Sequence, residues 1–203
     1  MQTECRQNRN SGIKMIEKFD IEGPLVLTPK KFGDDRGFFS ETYNKKMLCE
    51  AGINRDFVQD NHSLSIKKGV IRGLHFQIPP CAQEKLVRVT RGSIFDVVVD
   101  IRIGSPTFGK HVGVELSAEN WKQLWVPIGF AHGFCTLEPN TEVIYKVTDY
   151  YSSQCDAGLA WNDPALEINW PVEPSTAVLS TKDENHPGLA QLPDYFNFSQ
   201  SSN

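Results

Sequence analysis

From Pro24 onward the chain runs in short apolar stretches broken by Gly, Pro, Asn and Asp, the punctuation of an all-β protein. The pattern predicts strands over 25–28, 36–43, 57–65, 70–77, 85–91, 94–102, 111–117, 123–126, 133–137 and 142–150. One helix is expected over 44–52, "NKKMLCEAG", with Asn44 as cap and Gly52 as stop. A shorter one is expected near 183–192, interrupted by Pro187. "SIFDVVVDIR" is nearly continuous in apolar residues and reads as a central strand. "EVIYKVTDYY" alternates more cleanly and places Tyr145, Val147, Asp149 and Tyr151 on one side. At a rise of about 3.3 Å per residue, Tyr145 and Tyr151 would stand about 20 Å apart along an extended strand. Many short strands with little helix imply an antiparallel sandwich or barrel. No repeat or long linker interrupts the pattern.

Composition narrows this further. With 203 residues, 39% of them hydrophobic, the chain suits one ordered domain. Residues 1–14 are polar and rich in Asn, Gln and Arg, which predicts a disordered leader before a single domain at 15–203, with Met15 an alternative start. A net charge of −4 argues against nucleic acid, so an anionic ligand must be held by a few local cations. No run of 18 apolar residues and no secretory h-region occur, so no membrane partner is expected. Five scattered cysteines without a C-x-x-C spacing read as reduced thiols in the cytoplasm.

Candidate chemistry sits in two stretches. "GVIRGLHFQIPPCAQEKLVRVTRG" (69–92) and "WVPIGFAHGF" (125–134) resemble the two halves of the cupin metal signature. The four ligand positions are occupied here by His75, Gln77, Lys85 and His132. A lysine ammonium has no lone pair to donate, and glutamine suits transition metals poorly. A cation beside an imidazole suits a different task, removal of a proton from carbon next to a carbonyl. His75 is then a base, Lys85, with Arg72, holds the oxygen as it becomes an enolate, and Tyr145 is a candidate acid for the opposite face. Alone, His75 reads equally well as a structural histidine in a core. Arg72 and His75 are three apart and would face opposite sides of a regular strand, so if both reach a substrate, Gly73 is expected at a bulge.

The blocks "FGDDRGFFSETY", "FVQDNHSLS", "RGLHFQIPPCAQEKLVRV", "FDVVVDIRIGSPTFG", "QLWVPIGFAHGF", "YKVTDYYS", "WNDP" and "LSTKD", in this order, resemble the dTDP-4-dehydrorhamnose 3,5-epimerase family. That resemblance implies a cupin-like jelly roll (double-stranded β-helix) with short peripheral helices. It implies epimerisation at C3 and C5 of a dTDP-4-keto-6-deoxyhexose, without metal or other cofactor. His75 would accept the proton, Asp183 would orient it, Tyr145 would donate, and Lys85 would stabilise the enolate. Arg36, Gln59, Asn61, Arg72, His132 and Lys182 would contact substrate, and Tyr151 would stack on thymine. Glu41 would reach in from the partner of a homodimer. Taken singly, these residues have ordinary readings: Asp183 as a helix cap, Tyr151 as rim packing, Arg36 as a solvated turn residue. Asp156 stands where relatives often carry Glu, which puts contacts there in question, and Cys81 reads as a tolerated small residue. An epimerase acting at C3 or C5 alone, a non-catalytic sugar-nucleotide-binding cupin and, more weakly, a metal-dependent cupin oxygenase are the competing readings.

Overall fold

Strand alternation decides which side chains face inward, and the large sheet shows it. The computed structural model describes residues 12–199. In chain order its elements are β1 (Ile13–Lys18), β2 (Leu25–Pro29), β3 (Phe32–Asp34), β4 (Gly37–Phe39), α1 (Lys45–Glu50), β5 (Gln59–Ser65) and β6 (Ile71–Gln77). There follow β7 (Lys85–Arg91), β8 (Ser93–Asp100), β9 (His111–Ser117), β10 (Gln123–Val126), β11 (Phe130–Thr136), β12 (Thr141–Val147) and β13 (Asp156–Gly158). Six strands form one sheet in the order β1-β2-β10-β7-β12-β5, and five form a second in the order β13-β6-β11-β8-β9. The paired strands are antiparallel. The result is the expected all-β jelly roll.

Between the sheets lies a core of Val26, Val87, Val89, Ile94, Val98, Val112, Leu116, Leu124 and Phe130. A second core covers the outside of the smaller sheet, where Leu74, Phe76, Val97, Val99, Ala131 and Leu159 meet Leu166 and Phe196 of the C-terminal segment. This explains the apolar run in β8: Ile94 and Val98 serve the inner core, Val97 and Val99 the outer one. On the far side of the large sheet α1 packs Met47 and Leu48 against Leu27 and Leu86. Asn44 caps α1 through its side chain, accepting from the N–H groups of Lys46 and Met47, as the sequence implied.

Several boundaries differ from expectation. Strand β1 begins at buried Ile13, inside the segment read as a leader, and residues 1–11 lie outside the described ones. The stretch 36–43 is not one strand. A hairpin, β3–β4, turns at Asp34–Gly37, where the Asp34 carboxylate accepts from the Arg36 N–H and Gly37 has φ of +132°. Strand β12 ends at Val147, because Thr148 and Asp149 turn their side-chain oxygens to the N–H groups of Glu84 and Tyr150. Asp183–Asn185 and Leu189–Gln191 are separate 3₁₀ turns on either side of Pro187. Cys49 is disulfide-bonded, a departure from uniformly reduced thiols, whereas Cys81, Cys135 and Cys155 are free.

The bulge expected at Gly73 is present. His132 pairs with His75 and Phe134 with Arg72, so two residues of β6, Gly73 and Leu74, oppose one of β11, Gly133. Gly73 has φ of +131°, and a Cβ there would sit 2.5 Å from the Gly133 Cα. Two glycines facing each other therefore allow the backbones to approach and swing Arg72 to the His75 side.

Candidate active site

Inward parity at one end of the barrel is polar rather than apolar. Lys85 shares its face with Val87 and Val89, and Tyr145 shares its face with Val143 and Val147. Asn61 lies directly opposite Tyr145, Gln59 opposite Val147 and Ser63 opposite Val143, so all three look inward. From the smaller sheet come His75, Arg72 and His132. Arg72, His75, Lys85, His132, Tyr145 and Ser63 line a cavity of about 220 Å³, closed by Ser180, Lys182 and Asp183. An adjoining cavity of about 200 Å³ shares His75, Lys85 and Tyr145 and extends past Gln59, Asn61 and Lys182 to Tyr151. Two chambers with a common wall suit a ligand having two parts.

The C-terminal segment brings Asp183. Ile71 donates its N–H to Val178 O, fastening that segment to the start of β6. Asp183 Oδ1 then lies 2.5 Å from His75 Nε2, and Ser180 Oγ donates to Asp183 Oδ2 at 2.7 Å. Burial pushes the Asp183 carboxyl up, yet hydrogen bonds from His75, Ser180 and the Gly73 N–H outweigh it and hold the group at about 2. Asp183 is therefore a carboxylate at neutral pH, fixing one nitrogen of His75 and leaving the other for a substrate proton.

Lys85 Nζ donates to the His75 carbonyl at 3.2 Å. Burial brings its pKa down to about 8, with Asp96 and Asp156 opposing and Lys182 adding to the fall. It is thus charged at pH 7 and loses that charge above about 8. His132 Nε2 lies 2.6 Å from Asp96 Oδ1, and burial lowers the His132 pKa despite that partner. Burial raises the pKa of Tyr145, with Arg72 opposing, so the phenol keeps its proton until a stronger base asks for it. Arg72 is anchored by Ser65 Oγ at 3.2 Å and Leu64 O at 3.3 Å.

At the outer end Tyr151 is exposed, and its hydroxyl donates to Asp156 Oδ2 at 3.0 Å, which also pairs with Lys182 Nζ. Asp156 thus links Tyr151 to Lys182. Tyr151 does not continue β12: its N–H meets Gln59 Oε1 at 3.4 Å, so it folds back over the cavity instead of extending away from Tyr145. Gln77, at a cupin ligand position, donates to the carbonyls of Cys81 and Tyr150 and accepts from the Ser152 N–H. Its amide is a loop clamp. The Cys81 thiol pairs with Cys155 and its pKa is raised, which leaves it a poor nucleophile.

Arg36 and Glu41 are not in this cavity. Arg36 sits on the β3–β4 turn with its side chain 89% exposed and its guanidinium on Asp34 at 2.6 Å. Glu41 lines a different cavity with Asp60, Arg88 and Lys146, on the other face of the large sheet. Within one chain Arg36 does not line the cavity. Conversely, Ser63, Ser180 and Asp96 were not singled out from the sequence. Asp96 left a signal, an acid at inward parity in the apolar run "FDVVVD", and Ser63 alternates with Gln59 and Asn61.

Comparison with known proteins gives the family. The family model described as dTDP-4-dehydrorhamnose 3,5-epimerase matches residues 18–191. A protein of that name from Sinorhizobium fredii is 55% identical over 183 residues, covering 90% of this chain and 93% of the relative. The crystal structure of the Bacillus anthracis enzyme of that name, with TDP and PPi bound, superposes with a TM-score of 0.83 at 52% identity, covering 86% of this chain and 98% of that one. A Legionella pneumophila dTDP-6-deoxy-D-glucose-3,5-epimerase, in complex with dTDP-4-keto-L-rhamnose, gives 0.86 at 44% identity, covering 92% and 99%.

Proposed function

The chain belongs to the dTDP-4-dehydrorhamnose 3,5-epimerase family, and we propose that the cavity around His75 inverts C3 and C5 of dTDP-4-dehydro-6-deoxy-D-glucose, giving dTDP-4-dehydro-L-rhamnose. The observation carrying this assignment of roles is that His75, on the smaller sheet, and Tyr145, on the larger, line the same cavity with Lys85. The 4-ketone acidifies the C–H bonds on both neighbouring carbons. His75 takes the proton from one of them, and the electron pair moves into the carbonyl to give an enolate. Lys85 and Arg72 offset the charge on that oxygen. Tyr145 then returns a proton from the other face, the ketone re-forms, and solvent resets the imidazolium and the phenolate. A change of sugar pose presents the second carbon to the same groups. No metal or redox partner is needed for these steps to balance. Gln59, Asn61, His132 and Lys182 hold the sugar and diphosphate, and exposed Tyr151 offers its ring to the thymine.

The reaction run in D₂O tests the reading: deuterium should enter product at both C3 and C5. Label at one carbon only would replace it with a single-site epimerase, and no label or product would leave a binding protein.

Arg36 and Glu41 join the site only across a homodimer, with the β3–β4 hairpin reaching over the partner. Exposed Phe32, Phe38 and Phe39 on that hairpin supply an apolar reason for it to be covered. Mixing dissociated His75→Asn and Glu41→Ala subunits checks this. If Glu41 crosses, random re-pairing restores about a quarter of the sites. No recovery would mean that Glu41 acts within its own subunit, and a Glu41→Ala protein that is active before mixing would place Glu41 outside the chemistry. A cytoplasmic location belongs to the same reading and rests on the free thiols of Cys81, Cys135 and Cys155, against which the Cys49 disulfide weighs, with cell fractionation as its check. No helix among the described residues is long and apolar enough to cross a membrane.

A further inference from the structure

His186 has no part in the mechanism above, yet its ring is built into the site. Its side chain is 9% exposed, and Nε2 is buried without a hydrogen-bond partner. That nitrogen lies 3.8 Å from Asp183 Oδ1, and the ring stands edge-on to His75 at 5.5 Å between centroids. Its seat is fixed. A Cβ on Gly158 would come within 2.3 Å of the ring, so glycine there leaves its space, and the Ala160 N–H holds the Pro187 carbonyl at 2.8 Å. A buried nitrogen with no partner, aimed at a carboxylate that a second imidazole already shares, calls for an explanation.

The geometry points to a binding site for a divalent late-transition ion, Zn²⁺ being the natural probe, between His75, Asp183 and His186, where binding silences the base. One ligand atom from each of the three lies within 4.8 Å of the others. Two imidazoles and a carboxylate are an ordinary zinc donor set with a fourth position left open. Two of the three, His75 and Asp183, line the cavity. Bonds of about 2.0 Å at tetrahedral angles put ligand atoms roughly 3.3 Å apart. The present separations from Asp183 Oδ1, 2.5 Å to His75 and 3.8 Å to His186, bracket that value. An ion bound at Nε2 would move the proton that His75 shares with Asp183 round to Nδ1 by way of solvent, which occupies the lone pair that takes the substrate proton, and would draw His186 inward by less than about 1 Å. This set differs from the cupin metal positions: it lies on the Asp183 side of His75, away from His132. The positive charges of Lys85 and Lys182 oppose binding, so the ion is an inhibitor that comes and goes and not a resident group.

The test compares the metal-free enzyme with His186→Phe, which keeps the ring on Gly158 but removes both nitrogens, and with His186→Asn as a second variant in case the first does not fold. Zn²⁺ is titrated against each protein's own rate, and Co²⁺ binding is followed by visible absorption. Inhibition through His75 rests on the proposed function, whereas the cobalt spectrum does not. Expected is zinc inhibition of the wild type, with the half-inhibiting concentration raised at least about tenfold in the variants, together with a tetrahedral cobalt spectrum that they lose. Equal zinc sensitivity in wild type and variants would overturn the assignment. So would the absence of both inhibition and a cobalt spectrum up to about 1 mM metal, the limit of weak specific binding.

Discussion

His75→Asn is expected to lower kcat by about 10²–10⁴-fold, the range that loss of a positioned general base produces. Asparagine is too short to reach Asp183, which His75 meets through Nε2, but Ser180 Oγ still donates to that carboxylate, so it is not left bare and the fold should survive. The His75 side chain is 31% exposed at the cavity wall, which makes its removal a change of chemistry more than of packing. Steady-state rates on dTDP-4-dehydro-6-deoxy-D-glucose, with thermal melting as the control for folding, decide it. A loss below about tenfold in a protein that melts like the wild type would remove His75 from the base role.

Tyr145→Phe should separate two events that the wild type couples. The ring packs against the inner core through its apolar face, and phenylalanine keeps that contact while deleting the hydroxyl. Net inversion should fall by about 10²–10⁴-fold, because the proton for the opposite face has lost its donor. Proton removal by His75 should continue, so substrate recovered from D₂O carries deuterium with its configuration unchanged. Measuring label uptake and product formation on the same samples distinguishes the roles. If both fall together, Tyr145 acts in binding or in proton removal, and the acid is another group.

Much of this site is written in local parity, which is why it is legible early. Lys85 and Tyr145 fall on the same alternation as Val87 and Val143, and a strand cannot turn one inward without the other. The bulge at Gly73 was legible too, from the conflict between the spacing of Arg72 and His75 and a regular strand. Where side chains override the repeat, reading fails. Residues 36–43 look like one strand, but Asp34 takes the N–H of Arg36 and folds the segment into a hairpin. The run into Tyr151 looks extended, but Thr148 and Asp149 end it and return Tyr151 to Gln59.

The order of apolar and polar positions by itself determined an all-β sandwich or barrel and the shared faces along each strand, because alternation needs only nearest neighbours along the chain. Which of those inward groups meet was decided by closure of the two sheets. His75 and Asp183 are 108 residues apart and touch only because the C-terminal segment lies along β6. His132 finds Asp96 through strand register, and His186 finds Asp183 through the space above Gly158. Contacts of that kind depend on the whole chain's path, so no local pattern encodes them.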